Sequence, residues 1–152
     1  MNRIRLNGIA AVALVSVFAG CSLAGKHPAD DGGAARDKVV YHISDTAGQA
    51  RLAMQYIRNH LEVDPGAKIV VVTHANGVDF LMDGAKDKNG NPYNIPVEEL
   101  AMSGVDFEVC EITLRERHLR KSQFIPEAKY VPSGVAEIAR LQQREGYAYL
   151  KP

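Results

Sequence analysis

Apolar runs of strand-like composition alternate with helix-like segments along the chain from residue 38 onward. The runs predict strands at 38–43, 67–73, 104–109, 128–131 and 147–150. Apolar residues at helical spacing, or residues that favour helix starts, predict helices from Ser44 to about Leu61 and at 76–82, 96–103, 111–121 and 133–145. The strand at 67–73 is almost entirely apolar after its lysine, as expected of a central parallel strand covered on both faces. Strands and helices in this order predict a three-layer α/β domain with a mostly parallel sheet of about five strands.

A different pattern precedes this domain. Arg3 and Arg5 give a basic start, residues 8–18 are apolar, and small residues lead to Cys21. This layout predicts a secretory signal over residues 1–20, because the apolar run is shorter than the roughly 20 residues that a membrane-spanning helix needs. Residues 21–37 are rich in Gly, Ala and Asp and predict a flexible tether to a single domain at 38–152.

The end of the signal, Phe18-Ala-Gly-Cys21, resembles a bacterial lipoprotein signal, in which the cysteine is lipidated and becomes the new N-terminus. We therefore expect a lipid anchor on Cys21. Ser22, rather than Asp, follows the cysteine, which favours the periplasmic face of the outer membrane. A plain secretory signal, giving a soluble periplasmic protein, and an uncleaved anchor are the alternatives. Lipidation would leave Cys110 without an intramolecular disulfide partner.

The charge balance excludes some classes of partner. The chain has 18 basic and 18 acidic residues, and loss of Arg3 and Arg5 with the signal would leave a small acidic excess. No nucleic acid partner is expected from this balance. The sequence contains no glycine-rich phosphate-binding loop of the Walker or dinucleotide type. Flavin binding would rest on fold analogy alone, so we predict no cofactor.

Cys110 is the residue most suited to chemistry. It follows the strand at 104–109 and precedes a helix, whose unpaired amides and partial positive charge favour a thiolate. Ligands of open parallel sheets bind beyond the carboxyl ends of the strands, and His74 lies at another such end. Arg115 begins a basic run that continues to Lys121, whereas Glu111 opposes it. The alternative is a structural Cys110 that packs as a small buried side chain.

Other candidates have simpler explanations beside the functional ones. Asn76 at a predicted helix start is a candidate anion-binding residue, although an Asn-Gly turn explains it equally well. His42 near the end of the first strand is a weaker candidate than His74. Together with Cys110 these histidines would be sensible metal ligands, but no compact spacing supports a metal site and none is predicted.

Four segments resemble the DsrE/DsrF-like family in the expected order. They are 71–81 (VVTHANGVDFL), 104–114 (GVDFEVCEITL), 131–135 (VPSGV) and 141–149 (LQQREGYAY). The resemblance implies a flavodoxin-like, doubly wound domain and a homo- or hetero-oligomer. Some members relay sulfur as a persulfide on one cysteine, at the position that Cys110 matches. The known cytoplasmic partners of such relays are not expected for an exported chain.

Two functions remain open at this point. The first is an exported, membrane-tethered sulfurtransferase or persulfide carrier for small inorganic sulfur species, with Cys110 as nucleophile and His74, Asn76 and Arg115 as substrate-binding residues. The second is a non-catalytic, oligomeric binding or scaffold lipoprotein with a structural Cys110. The thiol at a strand end favours the first, and the lack of a second thiol and of a recognisable general base favours the second. Whether the protein is an enzyme stays open.

Overall fold

The computed structural model describes residues 36–152. The predicted signal, the lipidation site at Cys21 and all but the last two residues of the predicted tether lie outside the described residues. Within residues 36–152, no helix combines the length and apolarity that crossing a bilayer requires.

Five parallel strands form one sheet in the order β4-β3-β2-β1-β5. The elements are, in chain order, β1 (Lys38–Asp45), α1 (Arg51–Val63), β2 (Lys68–Asn76), α2 (Asn94–Met102), β3 (Asp106–Cys110), α3 (Glu111–Glu116), β4 (Ala128–Val131), α4 (Gly134–Glu145) and β5 (Ala148–Leu150). A π-helical turn at Thr46–Ala50 leads into α1, and 3-10 turns occupy Asp79–Leu81 and Lys121–Gln123. The predicted α/β fold with a five-stranded parallel sheet is confirmed.

The two faces of the sheet are covered unequally. On one face the larger core joins side chains of α1, α2 and α3 to the sheet, with Met54, Val97 and Leu114 as examples. On the other face α4 packs Ile138 and Leu141 on β1 and β2, in a smaller core. Because both faces of β1 and β2 are buried, the sequences of these two strands are nearly continuous apolar runs. The face under α4 also carries the polar side chains described below.

Two predicted helices are shorter in the structure. The helix predicted at 76–82 is only the 3-10 turn Asp79–Leu81, because β2 continues to Asn76. A tight turn follows, in which the amide of Gly77 donates to the carbonyl of His74 at 2.9 Å. A side chain at position 77 would collide with the carbonyl oxygen of Ile43, only 2.1 Å from an ideal Cβ, so the turn requires glycine.

The helix predicted at 111–121 ends at Glu116. His118 has a φ of 55°, and the amide of Leu119 donates to the carbonyl of Leu114 at 2.9 Å. This is the Schellman arrangement that ends helices through a left-handed residue. The basic run from Arg115 to Lys121 is therefore not one helical face.

Candidate functional site

Cys110 is the last residue of β3 and lies at the start of α3, with its side chain 4% exposed. Burial alone would raise the pKa of its thiol. The backbone amides of Gly134, Thr113 and Ile112 and the hydroxyl of Thr113 favour the thiolate instead, and together they outweigh burial and lower the pKa of the thiol. Hydrogen bonds to the charged form favour that form. The site therefore favours a thiolate at Cys110 more than water does.

Gly134 brings the start of α4 against this thiol. Ser133 caps the helix, its hydroxyl accepting from the amide of Ala136. A Cβ on Gly134 would lie 3.3 Å from the Cβ of Cys110 and 3.4 Å from that of His74. These distances are tighter than ordinary contacts, so glycine lets the first turn of α4 approach both residues. They also show that Cys110 and His74 leave neighbouring strands side by side on one face.

Thr113 fixes the other side of the thiol. Its side chain is 5% exposed, and its hydroxyl oxygen accepts from the amide of Ala75 at 3.0 Å. With that bond made, the hydroxyl hydrogen is free for Cys110. Thr113 thus links the end of β2 to the cysteine at the end of β3.

A row of polar side chains crosses the sheet from β5 towards Cys110. The hydroxyl of Tyr149 lies 2.7 Å from Nδ1 of His42, and Nε2 of His42 lies 2.6 Å from Nε2 of His74. The centroids of the two imidazole rings are 4.7 Å apart and their planes are inclined by 29°, so the rings meet edge to edge through these nitrogens. Tyr149, His42 and His74 belong to β5, β1 and β2, and Cys110 is on the next strand, β3. Four adjacent strands therefore each contribute one polar side chain to the row.

The environment of the row keeps both histidines neutral near pH 7. Burial, the neighbouring His74 and the ammonium of Lys151 lower the pKa of His42 to about 4. Burial and Lys151 also lower the pKa of His74. The amide of Gln49 donates to the backbone oxygen of Pro152 at 3.0 Å, which holds the segment after β5 near the end of β1. Neutral imidazole can donate at one nitrogen and accept at the other.

Glu108 lies two residues before Cys110 on the same face of β3. Burial, followed by the charges of Glu137 and Asp106, raises the pKa of its carboxyl to about 7, against the opposing effect of Arg140 and Lys129. One of its oxygens, Oε2, is buried and has no hydrogen-bond partner among the described residues. A carboxyl that is partly protonated near neutral pH therefore borders the site.

The predicted site residues do not all meet. His74 and Cys110 are neighbours, as described. Asn76 lines an open cavity of about 860 Å³ that also includes Arg51 and Tyr93. Arg115 lines a separate, shallow cavity of about 580 Å³ beside α3. Neither cavity includes Cys110 or His74 in its lining. Within residues 36–152, no three His, Cys, Asp or Glu side chains are grouped to hold a metal ion.

Thr113, Gly134 and Tyr149 belong to the site but were not predicted from the sequence. Gly134 carried a signal, because it belongs to the Val-Pro-Ser-Gly-Val segment, but that segment does not reveal which atom it approaches. Thr113 is three residues after Cys110, in the first turn of α3, and this spacing was the available signal that its side chain could face the thiol. Tyr149 belongs to the family-resembling segment 141–149, but only the sheet order places β5 beside β1 and so brings Tyr149 to His42.

A model of the DsrE/DsrF-like family matches residues 37–152. The chain belongs to the DsrE/DsrF-like family. Its DsrE-like domain is 31% identical to the protein of unknown function MTH1491 from Methanobacterium thermoautotrophicum, with a TM-score of 0.68. It is 16% identical to the ychN protein from E. coli, with a TM-score of 0.60, which supports the fold alone. Each match covers 76% of this chain and 99% of the other. No curated protein matches the chain.

Family membership confirms the resemblance proposed from the four sequence segments. The DsrE-like domain has the sulfur-relay-type fold of the family, and Cys110 is the free cysteine of the described residues. The site thus consists of one thiol with a lowered pKa, a histidine beside it and a hydrogen-bonded chain that leads to β5.

Proposed function

We propose that this protein is an exported, lipid-anchored carrier of sulfur, which holds one sulfur atom as a persulfide on Cys110. The observation that carries the proposal is the position of Cys110 at the end of β3, against the first turns of α3 and α4, where the backbone amides of these turns lower the pKa of its thiol. A thiolate is the nucleophilic form of cysteine. A purely structural cysteine has no need of such donors.

The carrier reaction needs only one cysteine. The Cys110 thiolate attacks the outer sulfur of a hydropersulfide, R–S–SH, and forms Cys110–S–SH. The S–S bond of the donor breaks, and its electron pair leaves with R–S⁻. An acceptor thiolate then attacks the outer sulfur of Cys110–S–SH and restores the Cys110 thiolate. The zero-valent sulfur moves without net oxidation, so one thiol is sufficient for this function.

Burial of Cys110 restricts the substrates. A side chain that is 4% exposed admits small sulfur species more easily than a protein-bound sulfur donor. Inorganic polysulfide has the required outer sulfur and is small. His74 beside the thiol is partly buried and is the side chain best placed to contact the incoming sulfur.

The test uses the full chain with Cys21→Ser, in which Cys110 is the only cysteine. After incubation with inorganic polysulfide, intact mass should show one added sulfur atom that a small thiol removes. The matched control, Cys21→Ser with Cys110→Ser, should gain no sulfur and should unfold at a similar denaturant concentration. Equal sulfur addition in both variants would contradict the carrier function.

A non-catalytic scaffold is the second candidate, and the burial of Cys110 favours it. In that case the native thiol should resist iodoacetamide from pH 5 to 9 and react only after unfolding. A native alkylation rate that rises through a midpoint below the value of about 8.5 for an ordinary thiol would exclude this alternative.

Location and assembly complete the proposal. We place the domain on the periplasmic face of the outer membrane through lipid on Cys21, with a soluble periplasmic form as the alternative. We also propose a homo-oligomer. Its support is apolar surface: Val135, which follows Gly134, is 62% exposed, and Met102 is 76% exposed. An interface over Val135 would lie next to Gly134 and therefore close to Cys110.

A further inference from the structure

We propose that Tyr149, His42 and His74 form a proton relay that serves the sulfur chemistry of Cys110. The part of this inference that concerns a sulfur substrate rests on the proposed carrier function. The relay itself rests on two short contacts, 2.7 Å from Tyr149 to His42 and 2.6 Å from His42 to His74. Both lie within hydrogen-bonding distance.

The chain has two neutral arrangements of its protons. In one, Tyr149 donates to Nδ1 of His42, and Nε2 of His42 donates to Nε2 of His74. In the other, every donation runs in the opposite direction. The first arrangement becomes the second when His74 loses the proton on its free nitrogen. His42 then passes a proton to His74, Tyr149 passes one to His42, and solvent returns one to Tyr149. The relay thus moves a proton between β5 and β2, and both imidazoles are neutral before and after the transfer.

Burial of the thiol explains the need for such a route. Cys110 is 4% exposed, whereas Tyr149 is 39% exposed. Water therefore reaches the tyrosine end of the chain freely but has little access to the sulfur. His74 is the member that lies against Cys110, since both contact the position of a Cβ on Gly134. A persulfide lengthens the Cys110 side chain by one S–S bond of about 2.05 Å, which gives the outer sulfur further reach.

Loading and unloading would use the relay in opposite directions. On loading, R–S⁻ leaves the donor and takes the proton from the free nitrogen of His74, so R–SH departs. His74 is reprotonated from His42, His42 from Tyr149 and Tyr149 from solvent. On unloading, the acceptor thiol R′–SH gives its proton to His74, and the chain returns to its first arrangement. Over both steps, R–SSH and R′–SH become R–SH and R′–SSH.

The decisive experiment varies the leaving group and keeps the product the same. Methyl methanethiosulfonate and dimethyl disulfide both place a methylthio group on Cys110. The thiosulfonate releases methanesulfinate, which needs no proton to leave. Dimethyl disulfide releases methanethiolate, which does need one. In the full chain with Cys21→Ser, adding Tyr149→Phe should slow the dimethyl disulfide reaction at least about tenfold, a part of the roughly 10²–10⁴-fold that general acid catalysis contributes. The thiosulfonate reaction should be unchanged.

Two further variants separate relay from structure. Tyr147→Phe, two residues earlier, is the matched control and should change neither rate, because the ring of Tyr147 contacts Lys38 instead of the histidines. His42→Gln keeps a hydrogen-bonding amide near the position of Nε2, but an amide cannot pass a proton from Tyr149 to His74. It should therefore be as slow with dimethyl disulfide as His42→Ala, whereas a structural role predicts rescue by glutamine.

The outcomes are distinguishable from those of the carrier test. Equal rate changes with both reagents in Tyr149→Phe, or no change with either, would overturn the relay even if polysulfide loads Cys110. Selective slowing with dimethyl disulfide, without any sulfur loading in the unmodified chain, would support the relay and refute the carrier function. A native Cys110 that reacts with neither reagent would overturn both.

Discussion

Glu108 and His42 should give the domain opposite dependences of stability on pH over the same range. The pKa of Glu108 rises from 4.5 to about 7 on folding, so the folded state binds more protons between these values and stability falls as pH increases. The pKa of His42 falls from 6.5 to about 4. The unfolded state then binds more protons between about pH 4 and 6.5, and stability rises with pH. The two effects oppose each other in the unmodified protein.

The magnitude follows from the slope of the linkage relation. One proton of difference changes the free energy of unfolding by about 1.4 kcal/mol per pH unit. Between about pH 5 and 6.5, a full proton of difference at either group would change the free energy of unfolding by about 2 kcal/mol. Both side chains keep contact with solvent, which reduces this to about 1 kcal/mol each. The lowered pKa of His74 acts in the same direction as that of His42, so we expect stability to rise only slightly with pH in the unmodified protein over this range.

Glu108→Gln should expose the contribution of His42. In this variant the free energy of unfolding should rise by about 1 kcal/mol from pH 5 to 6.5, as measured by urea denaturation at constant ionic strength. The control is Glu98→Gln, which changes an exposed carboxylate and should give the same profile as the unmodified protein. Parallel profiles for the unmodified protein and Glu108→Gln would refute the assignment of the opposing slope to Glu108.

Four other predictions concern the thiol, assembly and anchoring. Thr113→Val should raise the pKa of Cys110, measured from alkylation rate against pH, and Thr113→Ser should restore it. Gly134→Ala should cost about 1–3 kcal/mol of stability by overpacking and also raise the pKa, and unchanged denaturation would contradict the close approach at this position. Residues 37–152 should sediment as an oligomer at micromolar concentration, with only monomer refuting the assembly. Cys21→Ser should abolish lipid attachment in intact-mass analysis of the membrane fraction, and an unlipidated membrane-bound N-terminus in the unmodified chain would contradict the anchor.

The sequence predicted the fold through local patterns. Apolar runs located all five strands, and Ser133 was correctly predicted as a helix cap. One error arose where a long-range contact determines the chain path, and another where a single backbone conformation ends a helix. The turn at Gly77 depends on the position of Ile43 in a neighbouring strand, and the end of α3 depends on a left-handed conformation at His118. Helical periodicity contains neither kind of information.

The sequence by itself determined that Cys110 and His74 lie at or near the carboxyl ends of strands, because local composition shows where each strand runs to within a few residues. Only the tertiary structure decided which side chains surround them. The order of the sheet places Tyr149 beside His42, 107 residues away in sequence, and the start of α4 brings Gly134 to the thiol. The physical reason is that hydrogen bonds and burial, which set the pKa of each group, act between neighbours in space. Separation along the chain does not determine those neighbours.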